Sequence, residues 1–380
     1  MKKTILFLVL CLLLVLSSGI IQAEDNSLSI KQVSPRALGM GGTFTGLADD
    51  VSAVLYNPAG IGQNSVLDVF AGGGIKVSNY TELAKLENVF NDLQDSNLDA
   101  EEMDNLVEQL ENIEQFGTTA QMFSGLNMGN FAGGINYDNS LSIYGNQEIA
   151  DIVAENMETT EGIVGFGQEI IIPMMDIGAV AYGVNVKLMQ SKYQEYQLTA
   201  DQNNQQRVDI TAEGLGYGMD AGVMVKATEL IQVGLMVDNL FAPEYELTGE
   251  KVVKNYENGD WVEDSSAGDP DYNKLINPDR SVRAGASVYV PVIAATLSAD
   301  LDNIYTTGEE KRITHLGIEK NILFNALSLR GGTFVGEDIN DYYTAGLGIN
   351  FLPLNIDTGL AVDKNLSQEA VFSLSANMKF

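Results

Sequence analysis

Cysteine is nearly missing from this chain of 380 residues: its one thiol, Cys11, lies inside an apolar run at the N-terminus. Once that run is removed, disulfides, thiolate metal sites and cysteine nucleophiles are all excluded. Histidine is as scarce, with His315 alone, so acid-base machinery built on paired imidazoles is excluded too. Basic residues are few. The 21 Lys and Arg stand against 52 Asp and Glu, a formal charge of -31, which makes nucleic acid a very poor partner. The acidity reads either as a solvated surface, as in a salty habitat, or as attraction of cations and exclusion of anions. Long apolar runs are also lacking after residue 23, so no segment there is built to cross a bilayer as a helix. Any membrane-embedded form of this chain must therefore be a closed β-barrel, the other structure that pairs every backbone polar group within lipid.

The N-terminus carries Lys2 and Lys3, an apolar stretch from Ile5 to Leu16, and Ser17, Ser18 and Gly19 ahead of Ile21-Gln22-Ala23. This pattern predicts a secretory signal peptide over 1–23, cleaved before Glu24. Its apolar run falls short of the roughly 20 residues a spanning helix needs. Cys11 sits within that run and not behind a lipoprotein-type site. Export leaves 19 Lys and Arg against 52 Asp and Glu.

What the remainder does contain is alternation. Ala295, Leu297, Ala299 and Leu301 alternate with Thr296, Ser298, Asp300 and Asp302, and Leu354, Ile356, Leu360 and Val362 alternate with Asn355, Asp357, Gly359 and Asp363. Each is a strand with one apolar and one polar face. The last ten residues do the same: Phe372, Leu374, Ala376, Met378 and Phe380 share one face, and Ser373, Ser375, Asn377 and Lys379 the other. About 14 such segments fit the chain, near 64–76, 117–127, 130–145, 158–172, 177–195, 205–226, 231–248, 279–291, 294–306, 310–320, 326–337, 341–351, 354–363 and 369–380. The expected fold is all-β: a transmembrane antiparallel up-and-down barrel of even strand number, with both ends in the periplasm. Glycines at Gly214, Gly216, Gly218, Gly346 and Gly348 fall on the inward register, where they permit curvature or leave room in the lumen.

Connections near Met128-Gly129, 173–176, 291–293, 321–325 and 352–353 are short and are expected at the periplasmic end. Those at 77–116, 146–157, 196–204 and 249–278 are longer and are expected to face outward. Tyr305, Tyr342 and Tyr343 are assigned to the outer aromatic girdle and Tyr289 and Phe351 to the inner one, while Trp261 falls in the acidic outer loop. Within 77–116, Leu83, Leu86, Phe90 and Leu93, then Met103, Leu106, Val107, Leu110 and Ile113, recur at helical spacing. They predict a helical hairpin with Thr81 and Asp99 as N-caps, either a lid or spacer, or a gate or docking surface. Asp95, Asn97, Asp99 and Glu101 imitate the start of a calcium loop, but Ala100 replaces its turn glycine and Leu106 its bidentate glutamate. No cofactor or metal is expected.

The most specific stretch runs from Ser34 to Gly62 and contains Arg36-Ala37-Leu38-Gly39-Met40-Gly41-Gly42, Ala48-Asp49-Asp50 and Tyr56-Asn57-Pro58-Ala59-Gly60. Gly39, Gly41 and Gly42 allow close backbone approach and positive φ, Pro58 fixes the turn after Asn57, and Ala48, Ser52, Ala53 and Ala59 suit tight quarters. Arg36 either pairs with Asp49 or Asp50 or stands solvated. The stretch resembles the N-terminal hatch of the FadL-type outer-membrane transporters and their PorV-like and TraF-like relatives. The resemblance implies a luminal plug over 24–63 carrying Arg36, Gly39, Gly41, Gly42, Asp49, Asp50, Asn57, Pro58 and Ala59 as its hatch residues. It also implies a barrel over 64–380 in the outer membrane of a diderm bacterium, and an opening in the wall that passes a hydrophobic ligand sideways. By the same resemblance, Phe372 and Phe380 mark the strand read by the barrel-assembly machinery.

Two functions follow. One is passive uptake or lateral transfer of hydrophobic or small solutes through the outer-membrane lipid; the other is a TraF-like or PorV-like scaffold serving a secretion-system partner without transport. The helical hairpin and acidic outer loops lean toward the second. Enzymatic activity is not expected: no nucleophile motif accompanies His315, which the alternation turns toward the lumen as a wall residue.

Overall fold

The computed structural model describes residues 31–63, 67–79, 116–146, 151–171, 178–201, 204–257, 260–266, 268, 270–308, 311–336, 341–364 and 369–380. The signal peptide, the helical hairpin core at 80–115 and the calcium-loop imitation within it lie outside these residues. The described chain forms one antiparallel sheet of 17 strand segments. They are β1 (Asp68–Ser78), β2 (Phe116–Met128), β3 (Phe131–Asn146), β4 (Asp151–Ile170), β5 (Ala179–Asp201) and β6 (Asn204–Lys226), then β7 (Ile231–Phe241), β8 (Tyr245–Glu257), β9 (Asp260–Glu263) and β10 (Asp271–Ile276). After these come β11 (Ser281–Val290), β12 (Ala295–Thr306), β13 (Ile313–Ile322), β14 (Leu327–Gly336), β15 (Tyr342–Phe351), β16 (Leu354–Asp363) and β17 (Glu369–Lys379).

The sheet closes because β1 pairs with β2 on one side and with β17 on the other. Fourteen strands make the closed barrel, with β11 pairing directly to β7. The three remaining segments, β8 to β10, rise above it: β8 pairs with the first half of β6 and with β10. The expected loops at 146–157, 196–204 and 249–278 are therefore corrected, being largely strand, and the expected strand 231–248 is broken at 242–244. Trp261 likewise lies in strand β9. The reason is composition: the acid-rich alternation of β4, β5, β6 and β8 reads as loop when a lipid band is sought, yet polar alternation makes a sound strand outside lipid.

Exposure follows the alternation. On β17, Phe372, Leu374, Ala376, Met378 and Phe380 point outward, while Ser373, Ser375 and Asn377 are buried. On β5, Tyr182, Val184, Val186 and Leu188 face out, and Ala181, Asn185, Lys187 and Met189 face in. Tyr305 and Tyr343 stand on the outer surface at one end and Tyr289 and Phe351 at the other. Tyr342 is a correction: it points inward and stacks on Phe334 at 4.5 Å. The alternation had fixed opposite faces for neighbours, so only one of the adjacent pair could belong to the girdle.

Wall height is lopsided. At roughly 3.3 Å per residue and a tilt of about 40°, ten residues rise about 25 Å, the depth of the apolar band. Strands β11 to β17 have 10 to 12 residues and approach that depth, whereas β5 and β6 have 23 each. One side of the barrel thus stands far above the band.

Candidate functional site

Residues 31–63 pack into the lumen. Helix α1 (Pro35–Gly39) is capped by Ser34, whose Oγ accepts from Ala37 N at 3.3 Å, and Pro35 opens it with a pre-set φ. After a turn through Gly41 and Gly42, at φ 70° and 85°, come the short helix α2 (Ala53–Tyr56) and a 3₁₀ turn over Pro58–Gln63. Phe44, Val51, Val54, Tyr56 and Ile61 form a small buried core with Phe70, Phe123 and Ile163 of the wall.

The wall receives this segment on glycine. Gly167, Gly183 and Gly222 stand opposite one another across β4, β5 and β6. So do Gly234 and Gly285, Gly317 and Gly332, and Gly346 and Gly359 on the other side. A Cβ on Gly183 would lie 2.1 Å from Pro58 O, one on Gly346 3.0 Å from Gly39 Cα, and one on Gly222 2.0 Å from Asn57 Oδ1. The space expected at Gly346 is thus occupied by the chain's own N-terminal backbone. At Gly216 and Gly218 it is occupied instead by Tyr245 and Lys187.

Polar contacts pin the segment all round. Arg36 reaches Asp49 at 2.5 Å and forks onto Glu319 at 2.9 and 3.0 Å, while Arg330 holds the same glutamate at 2.7 Å and Asp357 at 2.5 Å. Burial lowers the Arg36 pKa, but Asp49 and Glu319 outweigh it and keep the guanidinium above its ordinary value. Asp50 does not join that clamp. Its carboxylate accepts from Ser52 N and Oγ, and burial, then repulsion from Asp49, raises its pKa. Gly41 N donates to Thr344 at 2.9 Å, and His315 Nδ1 meets Gly41 O at 2.6 Å beside Gly42. Asp300, which carried no distinguishing neighbours in sequence, accepts from Phe44 N at 2.8 Å and Thr45 N at 2.7 Å. Asn57 donates to Thr45 O at 2.9 Å and accepts from Ala59 N at 3.1 Å, bracing the turn in which Pro58 sits on Gly183 and Ala59 packs on Ala181 and Met224. Arg36, Gly39, Gly41, Gly42, Asn57, Pro58 and Ala59 therefore meet the inner wall, while the carboxylates of Asp49 and Asp50 bond within the segment. Phe372 and Phe380 are remote from them, on the outer face.

Glu319 and Arg330 are partners of the segment that motif reading did not single out, while Asp300 and His315 were read only as polar-face and wall residues without a partner. Their signal was only a charged residue on the polar register of an otherwise apolar strand, at Glu319, Arg330 and Asp300. Among the described residues no group of three or more His, Cys, Asp or Glu could hold a metal.

The wall itself is broken at one place. Met219 of β6 pairs with Phe241 and Glu213 with Thr248, so the ladder skips 214–218 on one side and 242–247 on the other. Pro243, which cannot donate, lies in the gap. A second skip follows between Ser281–Asp238 and Ile276–Tyr245 pairing, across 239–244 and 277–280. Polar stitches cross it: Asn239 N donates to Asp220 at 2.8 Å, and Asn239 Nδ2 to Asp279 O at 2.8 Å.

The break lies level with Leu188 and Gln190 of β5, where outward-facing apolar residues give way to polar ones. Leu215, Tyr217, Leu240 and Phe241 form exposed apolar lips on its outer side. On the inner side the Tyr245 ring covers Gly216, and its hydroxyl bonds Ser191 at 2.8 Å. Above the break the strand code inverts. There Tyr193, Val208, Ile210, Ala212 and Leu247 make a buried apolar cluster, joined by Tyr272 and Ile276, while Glu213 and Thr248 face out. An apolar inner surface thus begins where the apolar outer surface ends.

No family model and no curated relative matches the chain. Among solved structures it is similar to the toluene transporter TbuX of Ralstonia pickettii, with a TM-score of 0.60 at 12% identity over 93% of this chain and 99% of that one. It is also similar to the toluene transporter TodX of P. putida, with a TM-score of 0.58 at 11% identity over 93% and 99%. A FadL homologue of Pseudomonas aeruginosa gives 0.57 at 12% identity over 92% and 99%. The closed barrel of this chain has the FadL-type fold.

Proposed function

We propose that this protein is an outer-membrane barrel for passive transfer of small apolar solutes, with residues 31–63 as its hatch and the break beside Tyr245 as its lateral exit. The single observation that carries this reading is the pairing of a filled lumen with a ladder break at the upper edge of the lipid band. Axial flow meets the hatch backbone. An apolar solute instead follows the apolar inner face of the tall sheet, past Tyr193, Tyr272 and Leu247, down to Tyr245. From there it passes between Leu215, Tyr217, Leu240 and Phe241 into the outer leaflet.

The solute class fits the walls: the exit is lined by apolar and aromatic side chains, and the toluene transporters share the fold. The reading puts the short turns and both termini in the periplasm and the tall sheet outside the cell. It leaves Phe372 and Phe380 available on the outer surface for the barrel-assembly machinery.

The test is uptake of toluene and of a small sugar by cells carrying the barrel. Tyr245→Ala should raise toluene uptake and leave sugar uptake unchanged, whereas Leu215→Lys with Leu240→Lys should lower toluene uptake. Equal response of both solutes would make the barrel an axial pore. Insensitivity of toluene uptake to all three substitutions would favour a secretion or assembly scaffold.

A further inference from the structure

The short turns carry apolar residues where tight turns ordinarily carry Gly, Asn or Asp. Between β11 and β12, Val292 is 94% exposed and Ile293 is also exposed; between β15 and β16, Leu352 is 91% exposed and follows exposed Phe351. Between β13 and β14, Leu323 and Phe324 are both exposed, at φ 51° and 57°. Left-handed backbone costs a residue with a side chain roughly 1–2 kcal/mol. Bulky apolar residues are thus kept at positions that glycine or asparagine would fill with less strain.

The height of the wall says what covers them. On β15 the outward residues run from Tyr343 to Phe351, which is eight steps. At about 3.3 Å per step and a tilt near 40°, this gives roughly 20 Å, about 5 Å short of the apolar band of a membrane barrel. The shortfall is not made up at the upper end of β15, where Asp341, paired with Lys364 at 2.8 Å, stands two residues above Tyr343 on the same face. At the lower end the apolar turns are continuous with the band.

Several of the polar groups beside them are already paired. Asn350 Nδ2 donates to Asn325 O at 2.7 Å, Ser328 Oγ to Asn321 at 2.7 Å, and Lys379 N to Pro353 O at 3.0 Å. For these groups little desolvation opposes immersion.

We infer that the turns bearing Val292, Ile293, Leu323, Phe324, Phe351 and Leu352 are seated in the lipid leaflet on the short-turn side, completing the apolar band there. This rests on the membrane-spanning reading above. It assigns a phospholipid surface, and not a protein, to this rim.

The test uses the full chain with Cys11→Ser, so that single thiols can be labelled with the fluorophore NBD in phosphatidylcholine/phosphatidylglycerol liposomes. Phe324→Cys, Val292→Cys and Leu352→Cys are compared with Glu229→Cys, an exposed polar position on the β6–β7 turn at the same end. Val186→Cys, on the lipid face of β5, reports the membrane-spanning reading separately. The three rim labels should be quenched by brominated lipids and be on the order of threefold less accessible to iodide than the label at 229. Iodide access equal to that at 229 overturns the inference. So does iodide protection without quenching by bromolipid. Loss of bromolipid quenching at 186 as well would instead sink the spanning reading. Heat-modifiable gel mobility shows which variants are folded, and any of the three rim positions suffices.

Discussion

Gly183→Ala is the most direct perturbation of the lumen. The added methyl would sit 2.1 Å from Pro58 O and 2.3 Å from its carbonyl carbon, both backbone atoms, with ordinary contact beginning near 3.4 Å. Relief demands a shift of about 1.3 Å in a turn held by Asn57 and by packing of Ala59, so no flexible side chain can absorb it. Overpacking on this scale costs about 1–3 kcal/mol. At about 2 kcal/mol the ratio of displaced to seated hatch rises roughly 30-fold. Planar-bilayer recording should show that rise as more frequent openings over a quiet wild-type baseline. The control is Gly162→Ala on the lipid side of β4, where an added Cβ meets nothing within 4 Å. If Gly183→Ala recorded like Gly162→Ala and the wild type, the glycine belt would not seat the hatch and the argument would fail.

Three further outcomes are expected. Arg36→Ala leaves Glu319 to Arg330 and removes the tie to Asp49; loss of about 3 kcal/mol from hatch seating should show as faster cleavage of 31–63 by a nonspecific protease, with Arg36→Lys intermediate because one ammonium cannot fork. Asp300→Ala strips the acceptor from Phe44 N and Thr45 N and should destabilise seating by about 1–3 kcal/mol per orphaned group, read by the same digestion; unchanged cleavage would refute the assignment. Asp50 has a folded pKa above its ordinary value of 3.8, so the folded form holds the proton more tightly: its contribution is full below 3.8 and is lost as pH rises through the raised value. Asp50→Asn should flatten the decline of the denaturant midpoint that begins from about pH 4 upward, and an unchanged pH profile would count against this.

Much of the barrel was legible because membrane strands obey a period of two. Lipid on one side and a packed lumen on the other force Phe372, Leu374, Ala376 and Met378 out and Ser373, Ser375 and Asn377 in, and no tertiary knowledge is needed to see it. The same rule misled at β4, β5, β6 and β8. Outside the lipid it runs with opposite phase, so acidic strands looked like loops, and Trp261 looked like part of one. Tyr342 and Tyr343 were both given to the girdle although neighbours on a strand cannot share a face. Arg36 was legible as a clamp without its main partner, because Glu319 lies 283 residues away.

The sequence by itself determined the alternation, the strand number, and the small and left-handed residues of 34–62, because these depend on local sterics and on each side chain's transfer between water and lipid. Only the tertiary structure decided what the glycines are for. Gly167, Gly183 and Gly222 are far apart in the chain and become one belt through antiparallel register, and Pro58 then finds the backbone-to-backbone approach that any Cβ would forbid. The wall break is of the same kind: Pro243 is an ordinary residue in sequence and falls in a gap because the ladders around it resume in shifted register, a relation between strands that no single segment contains.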